Sequence, residues 1–549
     1  MSLAFFCYRG VIRYLGALVV AALLVISPLS HLSAATDDVS QGDTLINASI
    51  ADATNLLPLL ASDGASASIS GLVFNGLVRY DRNVQLEGDL AERWEVSPDG
   101  LVITFHLRRD VQWHDGALFT AHDVLFTYQT LIDPQVKTPY SGDFEQVAQV
   151  EVLDEYTVRV TYREPFAPGL ASWGMGMLPK HLLEHQDVNR TEYSRVPIGT
   201  GPFRFGRWKT AEQIELWANA TYYEGRPPID RYLSRIIPDA STMFLELRTG
   251  GVDLMGLTPL QYHRLTGGSF WERTFQKFRY PSFGYTYLGF NLQQPPFDDR
   301  RVRWAINYAV DKEEIIRGVL MGLGVVATGP FLPASWAYNS SVAAAPYDPP
   351  RAKMLLAEAG WSDHDNDGWL DREGRLLEFT ILTNQGNEQR KRAAEIVQQR
   401  LAEIGVRVKI QVVEWSSLLH EFIDHRRFEA VMLGWSLSRD PDIYDIWHSS
   451  KTGEGEFNFL GYANAEVDAL LVAGRRTFDQ AERQRIYRRI HELLYDDQPC
   501  LFLYVPDSLP IVQRRFRGVE QTPIGIGYNL HRWYVPLDEQ RYSRWTIQP

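Results

Sequence analysis

The chain has almost no cysteine, with Cys7 and Cys500 the two in 549 residues. Cys7 lies ahead of the apolar run at the N-terminus and is not placed to carry a lipid at a cleavage site. Cys500 is the one thiol expected in the mature chain, so no intramolecular disulfide can form. Its setting, 498–504, reads as a buried strand with the thiol as a small core side chain. Long apolar runs are also missing beyond the first 35 residues, which excludes a multi-span membrane protein. There is no excess of base: 55 Lys and Arg stand against 68 Asp and Glu, a net charge of −13, which argues against nucleic acid as a partner. Neither G-x-x-x-x-G-K nor G-x-S-x-G occurs, so ATP hydrolysis and serine-hydrolase chemistry have no foothold and any energy source lies in a partner. No cofactor and no resident metal is expected. A fixed-period repeat and low-complexity sequence are absent too.

What is present is a 62.8 kDa chain, too long for one hydrophobic core, so two or three domains are expected. Arg9 and Arg13 precede an uncharged run over 14–29, followed by small residues at Ser33, Ala34 and Ala35. That order reads as a secretory signal peptide over 1–35, cleaved before Thr36. An uncleaved anchor is the rival reading, although the strongly apolar core is shorter than a full bilayer span.

The remainder alternates strand-like runs with amphipathic helices, the pattern of an α/β fold. A helix is expected over 298–321, where Val302, Ala305, Ile306, Ala309 and Val310 make one apolar stripe behind Asp298 and Asp299. A second is expected over 388–404, ended by Gly405, and leads into a strand over 406–413. A third is expected over 480–494, and strands over 101–107 and 157–161.

Residues 90–128, LAERWEVSPDGLVITFHLRRDVQWHDGALFTAHDVLFTY, resemble the signature block of the peptide- and nickel-type periplasmic solute-binding proteins, the extracellular solute-binding family 5. IGTGPF at 198–203, FDDRRVRWAINYAVD at 297–311 and GWSLSRDPD at 434–442 follow in that family's order. The resemblance spans essentially the whole mature chain. It implies a two-lobed periplasmic binding protein fold (type II, with an extra subdomain) holding a ligand between the lobes. The division it implies is a lobe I core from 36–80, 195–288 and 506–549, an extra subdomain over 81–194, and a lobe II over 289–505. The implied role is substrate capture in the periplasm for an ABC importer, with a membrane permease and an ATPase as partners and an oligopeptide as ligand. A monomer is expected. A closing cleft needs chain crossings that tolerate changes in φ and ψ, and the extended segments bearing Tyr287 and Asn291, and Tyr504 and Asp507, are the expected hinges.

The expected ligand-binding residues lie on two loops and a strand. In peptide-binding relatives an Asp in the loop after the Gly-Trp pair grips the ligand's amine. Here the corresponding position holds Leu437, and the nearest acids are Asp440 and Asp442. Both can also cap a following helix. Trp435, Ser436 and Tyr444 flank them, and Tyr285 is a further aromatic platform. The loop 383–387 offers Asn384 and Gln385 where some dipeptide binders carry a carboxylate-binding Arg, which favours a longer peptide or an uncharged ligand. An oligosaccharide or a metal chelate on the same fold is the alternative ligand.

Two patterns point elsewhere. His181, Glu184 and His185 match H-x-x-E-H, the spacing of a zinc-dependent hydrolase, but also form an ordinary segment of the family. Residues 363–368 match the first half of a calcium loop, yet position twelve is Gly374 where a bidentate Glu is needed.

Overall fold

The computed structural model describes residues 39–542, and within them two seven-stranded sheets carry the architecture. The first sheet is mixed. Its strand Thr44–Ser49 lies parallel to Arg231–Ile236 on one side and to Leu254–Gly256 on the other. Gln213–Ala218 and Phe203–Lys209 extend it antiparallel beyond Arg231–Ile236. In the second sheet, Gly284–Phe290 runs antiparallel between Ala430–Ser436 and Cys500–Ser508. Glu378–Asn384 lies parallel to both Ala430–Ser436 and Arg407–Val413. A separate four-stranded antiparallel sheet holds Ala91–Val96, Val102–Leu107, Thr157–Tyr162 and Val147–Asp154.

Alternation along the strands explains the layering. Every residue of Gly284–Phe290 is buried, because both faces of the second sheet are covered. Tyr285 and Tyr287 point into one core with Leu433 and Phe502, while Leu288 and Phe290 point into the other with Val302, Ile306 and Val397. Cys500 is fully buried among the first of these groups, and burial pushes its thiol well above its ordinary value, as a core side chain requires. The chain passes between the two sheets at 278–279 and at Leu509.

The helix expected over 298–321 is two helices, Arg300–Ala309 and Lys312–Gly318. Val310 is extended, and the Asp311 side chain accepts from the Glu314 N–H, capping the second helix and stopping the first. The helix expected over 388–404 runs Glu388–Ala402 and the one over 480–494 runs on to Asp497.

Lys312 is buried between these elements, where Nζ donates to Asn307 Oδ1 at 2.5 Å. Burial alone pushes its ammonium down to about 7 from an ordinary 10.5. Between those values the unfolded chain holds a proton that the folded chain lacks, so this group makes the protein more stable as pH rises. Its contribution has a slope of at most ~1.4 kcal/mol per pH unit. Urea unfolding of Lys312→Met and the parent from pH 6.5 to 10 should show the variant's relative advantage shrinking steadily with pH. Parallel stability curves would show that Lys312 titrates normally.

Candidate functional site

A cavity of about 980 Å³ opens beside the second sheet. One wall comes from the second sheet: Tyr287, then the C-terminal end of Ala430–Ser436 and the loop 437–443 that follows it. The opposite wall comes from 61–64, Tyr80, Tyr140 and Asp143. A second cavity of about 570 Å³ adjoins it, sharing Phe283, Trp415, Gly434, Trp435 and Ser436. Strand ends presenting a loop into a crevice between bodies is the usual geometry of ligand sites in α/β folds.

Trp435 stands where the cavities meet. Its ring is held edge-on against Phe457 at 5.2 Å and tilted against Phe459 at 5.8 Å. Ser436 beside it is exposed to both cavities. Tyr285 and Asn384 line the smaller cavity; the Tyr285 hydroxyl is buried without a hydrogen-bond partner, and Asn384 Oδ1 accepts from Arg390 Nη1 at 2.9 Å. Gln385 is exposed and lies outside both cavity walls.

The acids of the loop are already paired. Asp440 accepts from Arg483 through both oxygens, at 2.8 and 3.0 Å. Asp442 Oδ2 accepts from Arg475 Nε at 2.7 Å, while its Oδ1 accepts from the Tyr444 N–H. Tyr444 stacks on His448 at 4.2 Å and under the Arg475 guanidinium at 3.9 Å, outside both cavity walls. Of the expected hinge residues, Asp507 lies beside a crossing and is paired with Arg279 at 2.6 Å. Tyr287 and Tyr504 sit within buried strands of the second sheet, and Asn291 just beyond one, its amide donating to the Phe428 carbonyl.

Arg475 also reaches across the cleft. It donates to the Gly142 carbonyl at 2.7 Å and to Asp143 at 3.0 Å. Nearby Lys451 donates to Glu145 at 2.7 Å, and Arg476 pairs with Glu164 at 2.5 Å. Burial lifts Asp445 well above the ordinary carboxylate range and Asp143 to about 6, against the pull of Arg475. Three carboxylates therefore crowd around one guanidinium where the two sides of the cavity meet. Sequence reading finds Asp442 here but not Asp143 or Arg475, because nothing local links residues 332 positions apart.

The zinc pattern does not assemble. The helix bearing it is four residues, Lys180–Leu183; His181 Nε2 is bonded to Asp115 at 2.7 Å, Glu184 to Lys180, and His185 is exposed. Among the described residues, Asp363, Asp365 and Asp367 are the one group of three placed closely enough to share a cation. Their oxygens are turned onto the loop's own backbone, Asp363 and Asp365 accepting from the Asp367 and Gly368 N–H groups and Asp367 from the Trp369 N–H.

Comparison with known proteins gives a consistent result. The family described as Bacterial extracellular solute-binding proteins, family 5 Middle, matches residues 85–457. The oligopeptide-binding protein AppA of Bacillus subtilis is 34% identical over 90% of this chain and 92% of its own. The structure of that protein in complex with a nonapeptide superposes with a TM-score of 0.86 at 33% identity, covering 90% of this chain and 99% of the other. Heme-binding protein A of Haemophilus influenzae is 31% identical over 92% of this chain and 96% of its own. NikZ from Campylobacter jejuni in complex with Ni(L-His) superposes with a TM-score of 0.82 at 32% identity, covering 90% of this chain and 99% of the other.

Proposed function

This chain belongs to the family 5 bacterial extracellular solute-binding proteins, and we propose that it is the substrate-binding component of an ABC importer that captures an oligopeptide in the periplasm. A membrane permease and its ATPase would receive the ligand, and the protein would act as a monomer. The signal peptide over 1–35 that delivers it lies outside the described residues. Among the described residues no helix is long and apolar enough to cross a membrane. The proposed lobes are a core of 36–80, 195–288 and 506–549 with its subdomain 81–194, closing on 289–505.

The observation that carries this reading is the cavity itself. At about 980 Å³ it stands at the upper end of the ~300–1,000 Å³ typical of small-ligand sites, with a further 570 Å³ adjoining. A peptide can be held in such a space through its backbone, with side chains in wet and tolerant pockets. The relatives' range of ligands makes haemin and nickel–histidine the necessary competitors. Thermal unfolding should be measured with defined tri- to nonapeptides, haemin and nickel–histidine, since a ligand that binds the native state raises its apparent stability. A peptide should give the largest shift. A shift with haemin or nickel–histidine and none with any peptide would overturn the reading. Trp435→Ala, which removes the wall shared by the two cavities, should weaken the best peptide roughly 10–100-fold by calorimetry.

A further inference from the structure

The charges around the large cavity are strongly one-sided. Among the described residues, eight carboxylates and one base, Arg439, line it. The carboxylates have partners of their own: Arg483 holds Asp440, Arg475 holds Asp442, Arg279 holds Asp507 and His420 holds Asp424. Arg439 has none. Its neighbour in sequence, Asp440, is turned away onto Arg483, and its own Nη1 is buried without a hydrogen-bond partner.

What does surround Arg439 is aromatic. Its guanidinium lies over the Phe283 ring, with Cζ 3.3 Å from the ring centre, and Tyr80 and Tyr280 lie near enough to act on its charge. Burial, reinforced by Asp440, pushes the Tyr80 hydroxyl up to about 12, so it stays a neutral phenol that cannot balance the charge. Stacking on Phe283 uses the face of the guanidinium and leaves its edge of N–H donors free. A purely structural arginine in a half-buried position ordinarily finds a carboxylate or carbonyl for that edge, as Arg475 and Arg483 do here.

Resting on the proposed ligand-binding role, we propose that Arg439 is the anchor for a carboxylate carried by the ligand, the terminal carboxylate where the ligand is a peptide. Planar N–H donors presented edge-on match a carboxylate in fork geometry, and the aromatic floor fixes the plane in which the fork lies. The site thereby prefers a ligand with at least one anionic group, and disfavours a neutral sugar. The neutral amides at 384 and 385 then cease to imply an uncharged ligand, because the cation is supplied from the loop after the neighbouring parallel strand.

The test uses defined tri- to pentapeptides with a free C-terminal carboxylate and the same peptides C-terminally amidated. Calorimetry is run on the parent protein and on Arg439→Gln, with circular dichroism and melting temperature confirming that the variant is folded. Amidation should weaken binding to the parent roughly 10–100-fold, as expected for loss of a charge-assisted hydrogen-bonded pair, and by less than about threefold in Arg439→Gln. Equal binding of acid and amide by the parent would overturn the anchor and leave the peptide reading standing. Failure of every peptide would overturn the peptide reading instead. The anchor would then be tested on haemin and nickel–histidine, both of which carry carboxylates, and would be overturned if Arg439→Gln bound the active probe as tightly as the parent or if neither probe bound.

Discussion

Replacing Arg475 by Met should cost about 3–5 kcal/mol in urea unfolding at pH 7, the range seen when one partner of a buried ionic cluster is removed. The loss comes less from the missing contacts than from what remains. Asp442, Asp143 and Asp445 would be left in a crowded, poorly solvated space with Lys451 as their remaining base. Burial already raises Asp143 and Asp445 with the guanidinium in place, so its removal drives them further toward the neutral form. The stability deficit should therefore narrow as pH falls from 7 to 5, because protonation relieves the uncompensated charge in the variant. Adding Asp442→Asn and Asp445→Asn should recover much of the loss. A deficit below ~1 kcal/mol would mean that the cluster is solvated well enough to tolerate three bare carboxylates.

Arg515→Met should have a comparable effect, again about 3–5 kcal/mol, at the far end of the first sheet. Arg515 is buried against two acids that are themselves almost fully buried, Asp43 and Asp253, the second at 2.9 Å. These acids are also backbone acceptors. Asp253 Oδ2 takes the Ile46 N–H at 2.9 Å, and Asp43 takes the N–H groups of Arg541 and Tyr542. Without the guanidinium both must either stay charged in an apolar site or protonate and weaken those bonds. The first sheet should then become the protease-sensitive part of the molecule. Limited proteolysis that cuts variant and parent at the same rate would count against this.

The sequence makes some of this legible and leaves the rest out of reach for identifiable reasons. Glu388–Ala402 and Arg407–Val413 could be read directly, since their apolar periods differ and Gly405, at φ +83°, ends the helix between them. The break at Val310 could not, because the apolar stripe runs unbroken through it and only the cap at Asp311 stops the helix. The loop after Trp435 declares itself as a site by its polar run at a strand end. Its charge logic does not. The acids at 440 and 442 draw attention as anchors, yet each is taken by an arginine from a later helix, Arg483 and Arg475. The residue left without a partner is the base between Ser438 and Asp440, and an unpaired charge is visible only once every pair has been drawn.

The strand order of the first sheet bears on how the chain can be made. Pro510–Gln513 lies between Phe275–Lys277 and Leu254–Gly256, pairing antiparallel with both. Those two strands are synthesised more than two hundred residues earlier, so a slot stays open in the N-terminal sheet until everything through residue 513 has emerged. Until then it exposes two unpaired strand edges, the kind of surface on which nascent chains aggregate. The second sheet receives Cys500–Ser508 only slightly earlier. Both bodies are thus completed by one continuous stretch, 500–513, whose two strands enter different sheets. A truncation there would remove interior strands from both sheets, and neither sheet can be complete before residues 500–513 are available.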